Sequence, residues 1–568
     1  MTKRTATCLF QTFALSFLLL VWSSKASRFN TFRSFEKQEN DWHLPGHHNH
    51  ENNLHNQIHG TNSTTHFFNA AIVDHFGSWK GSHQTWAQRY YVDQTLWGGD
   101  GYPIFLYIGG EGPQGPVSNR LFMRTMAGKF NALVLALEHR FYGESRPTPD
   151  QSVASLRVLS SEQALEDLAR FLEYVTRDLE KGVSNAQSSP PVKLQFSPKG
   201  SKIMVFGGSY PGSLSAWFHL KYPHLSVGSI ASSAPVFAEY NFEQYAQVVG
   251  FALGYPLIGG SQECYDAVTE ATNELHGLAN STVPKASSKA IPESLRPCDD
   301  IENGLDFAQY LSTVFGNFQG AIQYNVPGKS KVTVEIICKT MLNQGEGGQW
   351  KRPVDRLGNT MALFANHSLP LSKQCIQSSF EKDLVGLVSN TTFSPMGCDL
   401  GCNSTRQWIW QSCQEFGFFQ TATGANQPFS AFANEITVSN VGKILCESAF
   451  PGAWGDQPYS GPEVERSNTQ YGDRNIASVN TSLPNGSADP WHALGVVNST
   501  DGFFNSCDGN PCEKQQLKAT DYAVFLDGTS HCRDMFSPAS PDAPVRDPEA
   551  VKWAHGTIEK HIQSYLGQ

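Results

Sequence analysis

Short, almost unbroken apolar runs recur through the first half of the chain, and each ends in a glycine- or serine-rich turn. Residues 104–108 read IFLYI and end in Gly109-Gly110-Glu111-Gly112-Pro113, while 132–137 read ALVLAL and end in EHRFYG. Residues 202–206 run into Gly207-Gly208-Ser209-Tyr210-Pro211-Gly212, and 227–231 end in Ser232-Ser233-Ala234-Pro235. Strands that are apolar throughout, rather than at alternate positions, belong to a parallel sheet buried on both faces. Helical signals lie between them. Ser160 opens one helix, with Gln163 three residues later as a capping-box partner. Leu165, Leu168, Ala169 and Leu172 give that helix an apolar face, and residues 213–222 form another. The pattern predicts an α/β fold, in which chemistry sits at the carboxyl ends of the strands. Every glycine-rich turn just named falls there.

The alternation stops near Glu239. Residues 240–446 are richer in helical signals and hold eight cysteines, and strand signals return near Ile476 and Ala523. We expect a core in two parts, 67–239 and 447–568, with a mostly helical, disulfide-bonded cap inserted between them. The start of the chain differs again. Lys3 and Arg4 precede an apolar stretch over residues 9–22, and Ser24-Lys25-Ala26 supplies a cleavage-like site, which predicts a signal peptide over 1–26. Residues 27–66 are polar and rich in His and Asn. Their histidines lack a fixed ligand spacing, so a disordered spacer or pro-segment is expected there and no metal site.

Export changes how the cysteines and asparagines read. Of twelve cysteines, Cys8 leaves with the signal peptide, so the odd number eleven leaves at least one thiol without an intramolecular partner. Spacing alone would allow Cys398 and Cys402 to bind zinc, but an oxidising compartment favours disulfides. Sequons at Asn62, Asn280, Asn366, Asn390, Asn403, Asn480 and Asn498 are glycosylation candidates; an eighth, Asn485, falls in a motif assigned below to the active site. Losing Lys3, Arg4 and Lys25 moves the formal charge from −10 to −13, which argues against nucleic acid or an anionic membrane as partner. No later segment has the roughly 18 apolar residues of a membrane span. No cofactor is called for, and a homodimer is left open.

A serine hydroxyl needs a base to take its proton and a third group to orient that base. Ser209 sits between a predicted strand and helix, where a sharp turn would expose it, although Pro211 stands where G-x-S-x-G has its second glycine. Asp489, in LPNGSADPW, and His531, in FLDGTSHCRD, follow in the order Ser, Asp, His. The backbone N–H groups of Tyr210 and Gly110 are candidates for an oxyanion hole. Glu111 is awkward in an anion-binding loop and is expected to face a cationic substrate terminus or Arg140. Trp408, Trp410 and Glu415 are either pocket-lining residues or an aromatic core of the cap pinned by Cys413.

Several stretches together resemble one family of serine peptidases, that of lysosomal Pro-X carboxypeptidase, dipeptidyl peptidase II and thymus-specific serine protease, nearest to the last type. They are Asp74-His75-Phe76, IGGEGP (108–113), EHRFYGES (138–145), FGGSYPGSLSAW (206–217), SSAPV (232–236), RQWIWQSCQEFGF (406–418), NGSADPWHAL (485–494) and GTSHCRDM (528–535). The resemblance implies an α/β-hydrolase core with a helical cap and a triad of Ser209, Asp489 and His531. It also implies exopeptidase action on peptides, with proline favoured beside the scissile bond in two members, and a secreted or endolysosomal location. A lipase or esterase of the same fold, or a non-catalytic binding protein, are the alternatives.

Overall fold

The computed structural model describes residues 63–77, 84–177, 200–281, 290–344, 350–364, 375–395, 404–476, 478–497, 522–538 and 547–567. The predicted signal peptide, nearly all of the spacer, Asn62, Asn366, Asn403, Asn498, the side chain of Asn280, and Cys398, Cys402, Cys507 and Cys512 lie outside the described residues.

One eight-stranded sheet organises the core. Its strands are β1 (Thr64–Ile72), β2 (Thr85–Asp93), β3 (Ile104–Ile108), β4 (Leu133–Leu137), β5 (Ile203–Gly208), β6 (Gly228–Ser232), β9 (Thr481–Gly486) and β10 (Tyr522–Leu526). They lie in the order β1-β2-β4-β3-β5-β6-β9-β10. From β4 to β10 every pairing is parallel, with Leu106 of β3 set between Leu135 and Val205. Strands β3, β4, β5 and β6 are buried at every position, as continuous apolar runs require.

Strands β1 and β2 are absent from the sequence-based expectation; β1 pairs antiparallel with β2, and β2 antiparallel with β4. Strand β1 begins at Thr64, so the last three residues assigned to the spacer are part of the sheet. Its register slips between Phe68 and Ala71, and β2 buries Gln88 and Arg89; both features erase a strand's simple periodicity. The buried guanidinium is matched by Glu138, 2.6 Å away at the end of β4.

Helices cover the sheet. Those used below are α1 (Phe122–Phe130), α2 (Ser161–Arg177), α3 (Tyr210–Lys221), α4 (Gln244–Gly254), α5 (Gln262–Ser281), α6 (Gly304–Gln323), α7 (Thr405–Gln411) and α8 (Glu549–Leu566). Helix α2 shows half of the predicted capping box. Gln163 N–H donates to Ser160 Oγ at 3.2 Å, but the Gln163 side chain turns away to Asp74, His75 and Arg140.

Strands β6 and β9 are sheet neighbours, yet a largely helical segment separates them in sequence and contains α4 to α7. Its two short strands, β7 (Glu239–Phe242) and β8 (Gly417–Gln420), pair parallel. Disulfides Cys264–Cys338, Cys298–Cys375 and Cys413–Cys446 all fall within it, each worth about 2–4 kcal/mol against the unfolded chain. Such bonds belong to an oxidising, secretory compartment. No helix among the described residues is long and apolar enough to cross a membrane. The core has the strand order, crossovers and strand-to-helix turn of an α/β-hydrolase, with the helical segment inserted after β6.

Candidate active site

Ser209 stands between β5 and α3 with φ 62° and ψ −133°, a backbone conformation that few side-chain-bearing residues adopt. The turn is held from three sides. Ser209 N–H donates to Ser232 O at 2.9 Å. A methyl group on Gly207 would lie 2.0 Å from Pro211 O, and one on Gly208 would lie 2.1 Å from Met535 Sδ. The late glycine has its own place: a methyl group on Gly212 would meet Ser232 O at 2.5 Å. Pro211 is the second residue of α3, where no intrahelical N–H bond is lost. Its ring presses on Gly110, whose Cα hydrogen faces Pro211 Cγ where a methyl would sit at 2.2 Å.

His531 Nδ1–H donates to Asp489 Oδ2 at 2.8 Å, and the other carboxylate oxygen accepts Trp491 N–H at 3.0 Å. Both residues are buried. Burial disfavours the imidazolium, but the Asp489 carboxylate and the Cys532 sulfur beside the ring together outweigh it and hold His531 well above its usual pKa. The Nε2 atom of His531 is buried and has no partner among the described residues. Residues 232 and 233 bring the histidine loop to the serine turn. Ser232 Oγ donates to Asp534 at 2.5 Å, Ser233 Oγ accepts Cys532 N–H at 2.9 Å, and a methyl on Gly208 would lie 3.1 Å from Cys532 Sγ. Cys532 is a free, buried thiol beside the imidazole.

The loop after β3 is fixed by β4. Gly109 N–H donates to Leu137 O at 2.9 Å, and Gln114 N–H to the buried Glu138 carboxylate at 2.9 Å. The Glu111 N–H bonds its own carboxylate, whereas Gly110 N–H has no backbone partner among the described residues. Glu111 does not meet Arg140, which forks onto Asp167 at 2.6 and 2.7 Å. Burial pushes the Glu111 carboxyl up to about 7, and His531 is the charged neighbour that opposes the shift.

Two sequence-predicted pocket candidates, Glu415 and Trp410, have partners within the protein. Glu415 accepts Ser161 N–H with both oxygens at 3.0 Å and Ser161 Oγ–H at 2.6 Å, so its carboxylate caps α2. Trp410 packs edge-on against Phe450, with ring centroids 5.2 Å apart, and Trp408 lies against Phe416 and Tyr210. These contacts match the aromatic-core alternative. Among the sequons, Asn390 is exposed and Asn480 half-buried, while Asn485 is buried and donates to Val496 O.

Sequence reasoning assigned no roles to the residues that orient Tyr210. Burial lowers His139 to about 4, so its ring is neutral; Nδ1–H donates to Arg140 O at 2.8 Å and Nε2 accepts the Tyr210 hydroxyl at 3.0 Å. Gln411 of α7 donates to the same hydroxyl at 2.9 Å and accepts from Tyr142 at 2.7 Å. EHRFYGES, noticed as a run, was the available signal: Glu138 holds the β3 loop, His139 holds Tyr210 and Arg140 holds α2.

Comparison with known proteins gives the family. The family model described as serine carboxypeptidase S28 matches residues 71–547. Mouse thymus-specific serine protease is 32% identical over 85% of this chain and 84% of its own length. The human thymus-specific serine protease is 31% identical over 85% and 83%. Bovine lysosomal Pro-X carboxypeptidase is 26% identical over 75% and 77%. The chain belongs to the serine carboxypeptidase S28 family of serine peptidases.

Proposed function

We propose that this serine peptidase is an exopeptidase acting through an acyl-enzyme, with Ser209 as nucleophile, His531 as general base and Asp489 as the group that orients it. Ser209 Oγ attacks the scissile carbonyl while His531 Nε2 takes its proton. The same nitrogen returns that proton to the leaving amine, and water then hydrolyses the ester. The Tyr210 and Gly110 N–H groups would receive the oxyanion. The observation that carries the reading is the 2.8 Å Asp489–His531 bond, which fixes the tautomer and leaves Nε2 unpartnered on the loop sewn to the strained Ser209 turn. Glu111, beside His531, is the proposed contact for the substrate's terminal group.

Exopeptidase action is supported by the family, whose model is described as a serine carboxypeptidase, and the helical segment is tied to the histidine loop at the end of α6. Proline beside the cut is the preference to test first, because a relative is named Pro-X carboxypeptidase. The same relative's name supports an endolysosomal destination over an extracellular one. Digestion of a peptide library read by mass spectrometry tests the cleavage mode and the proline preference. Removal of terminal residues with proline enriched at the cut is expected; internal cleavage, or hydrolysis of acyl esters and no peptides, would reject it.

A further inference from the structure

The last residue of α6, Gln323, holds both halves of the acid–base pair. Its main-chain carbonyl accepts His531 N–H at 3.0 Å. A helix leaves its final carbonyls without intrahelical partners, and here the histidine loop supplies one. The side chain reaches the other half: Gln323 Oε1 accepts Trp491 Nε1–H at 3.0 Å and the Tyr245 hydroxyl at 2.6 Å. Trp491 in turn donates its backbone N–H to Asp489 Oδ1 at 3.0 Å. Gln323, Tyr245 and Trp491 are all almost fully buried. A second strap lies two residues on, where Ser530 Oγ–H donates to Asn325 O at 3.0 Å. The negative end of the twenty-residue helix α6 also faces the histidine loop, where it favours the imidazolium.

We infer that Gln323 is a positioning residue through which the inserted helical segment sets the alignment of Asp489 with His531, so that the cap is part of the catalytic frame and not only a cover. The inference rests on the proposed triad. Gln323 does not itself touch the reacting atoms; it acts through Trp491 and the His531 backbone. Replacing the amide by methionine keeps the bulk but removes the acceptor shared by Trp491 and Tyr245. The indole N–H then loses this acceptor, and the turn carrying Asp489 loses its outer anchor. Displacements of about 1 Å at such a group cost about 10²-fold in rate.

The test is Gln323→Met and Trp491→Phe in the full chain, alone and together, assayed for kcat, KM and the pH dependence of kcat/KM, with Tm as a check on folding. Trp491→Phe keeps an aromatic ring and deletes only the indole donor, so it tests the same link if Gln323→Met fails to fold. Expected are a fall in kcat of roughly 10²-fold with KM little changed and a downward shift of the acid-limb pKa, as His531 loses its hold on Asp489. The double variant should be about as impaired as the worse single one. Folded variants with wild-type kcat and pH profile, a rise in KM alone, or fully additive losses would overturn the inference. Ser209→Ala separates the two claims: if it stays active, the triad reading fails, and if it is dead while Gln323→Met and Trp491→Phe behave as wild type, only the role of Gln323 fails.

Discussion

The contact between Gly110 and Pro211 makes a sharp prediction, because it joins the proposed oxyanion loop to the serine turn. In Gly110→Ala the new methyl would lie 2.2 Å from Pro211 Cγ and 2.6 Å from Cδ. Carbon atoms rest at about 3.5–4.0 Å, so the loop must retreat by roughly 1.3 Å or more. That removes the Gly110 N–H from reach of the oxyanion, a loss of about 10²–10³ in kcat, or about 3–4 kcal/mol of transition-state stabilisation. KM should hold within about threefold, since the donor acts on charge that develops only in the transition state. Relief is also specified. Pro211 Cβ would be 3.7 Å from the new methyl, an ordinary contact, so deleting only Cγ and Cδ with Pro211→Ala removes the clash. Steady-state kinetics on a chromogenic peptide should show Gly110→Ala crippled and the Gly110→Ala/Pro211→Ala pair largely restored. Full kcat in Gly110→Ala, or a folded double variant no better than the single one, would refute the reasoning.

Other outcomes follow from the same geometry. Asp489→Asn should keep the fold and lose about 10⁴ in kcat, because the imidazole adopts the wrong tautomer; a loss below tenfold would deny Asp489 its role. Burial raises the Glu415 carboxyl from 4.5 to about 7, so its contribution to stability is complete below pH 4.5 and is lost as pH rises through about 7. The cost is on the order of 3 kcal/mol. Thermal unfolding should therefore show Tm falling less between pH 4.5 and 7.5 in Glu415→Gln than in the wild type, and parallel curves would contradict this. In protein from a secretory host, Asn390→Gln should lose one glycan by mass whereas Asn485→Gln should lose none, since Asn485 is buried.

How much of this could be read from the chain depended on how local the determinants are. Strands β3 to β6 were legible because each is one apolar run ending in a glycine or serine turn. The proposed triad could be picked out because its candidates follow in hydrolase order, each after a strand. Strands β1 and β2 were not, since their buried polar residues are paired only in three dimensions, Arg89 with Glu138 across 49 positions. The capping contact of Glu415 was hidden for the same reason: its partner Ser161 lies 254 residues earlier. Gln323 had no signal, since a glutamine at a helix end reads as surface and Trp491 is 168 residues away.

The proposed chemistry turns on Ser209 as the nucleophile. Incubating the wild type and Ser209→Ala with a fluorophosphonate probe, then mapping the adduct by mass spectrometry, tests it most directly. One adduct on the peptide containing Ser209, and none in Ser209→Ala, is predicted. Labelling that survives the substitution, or that maps to another serine, would contradict the claim.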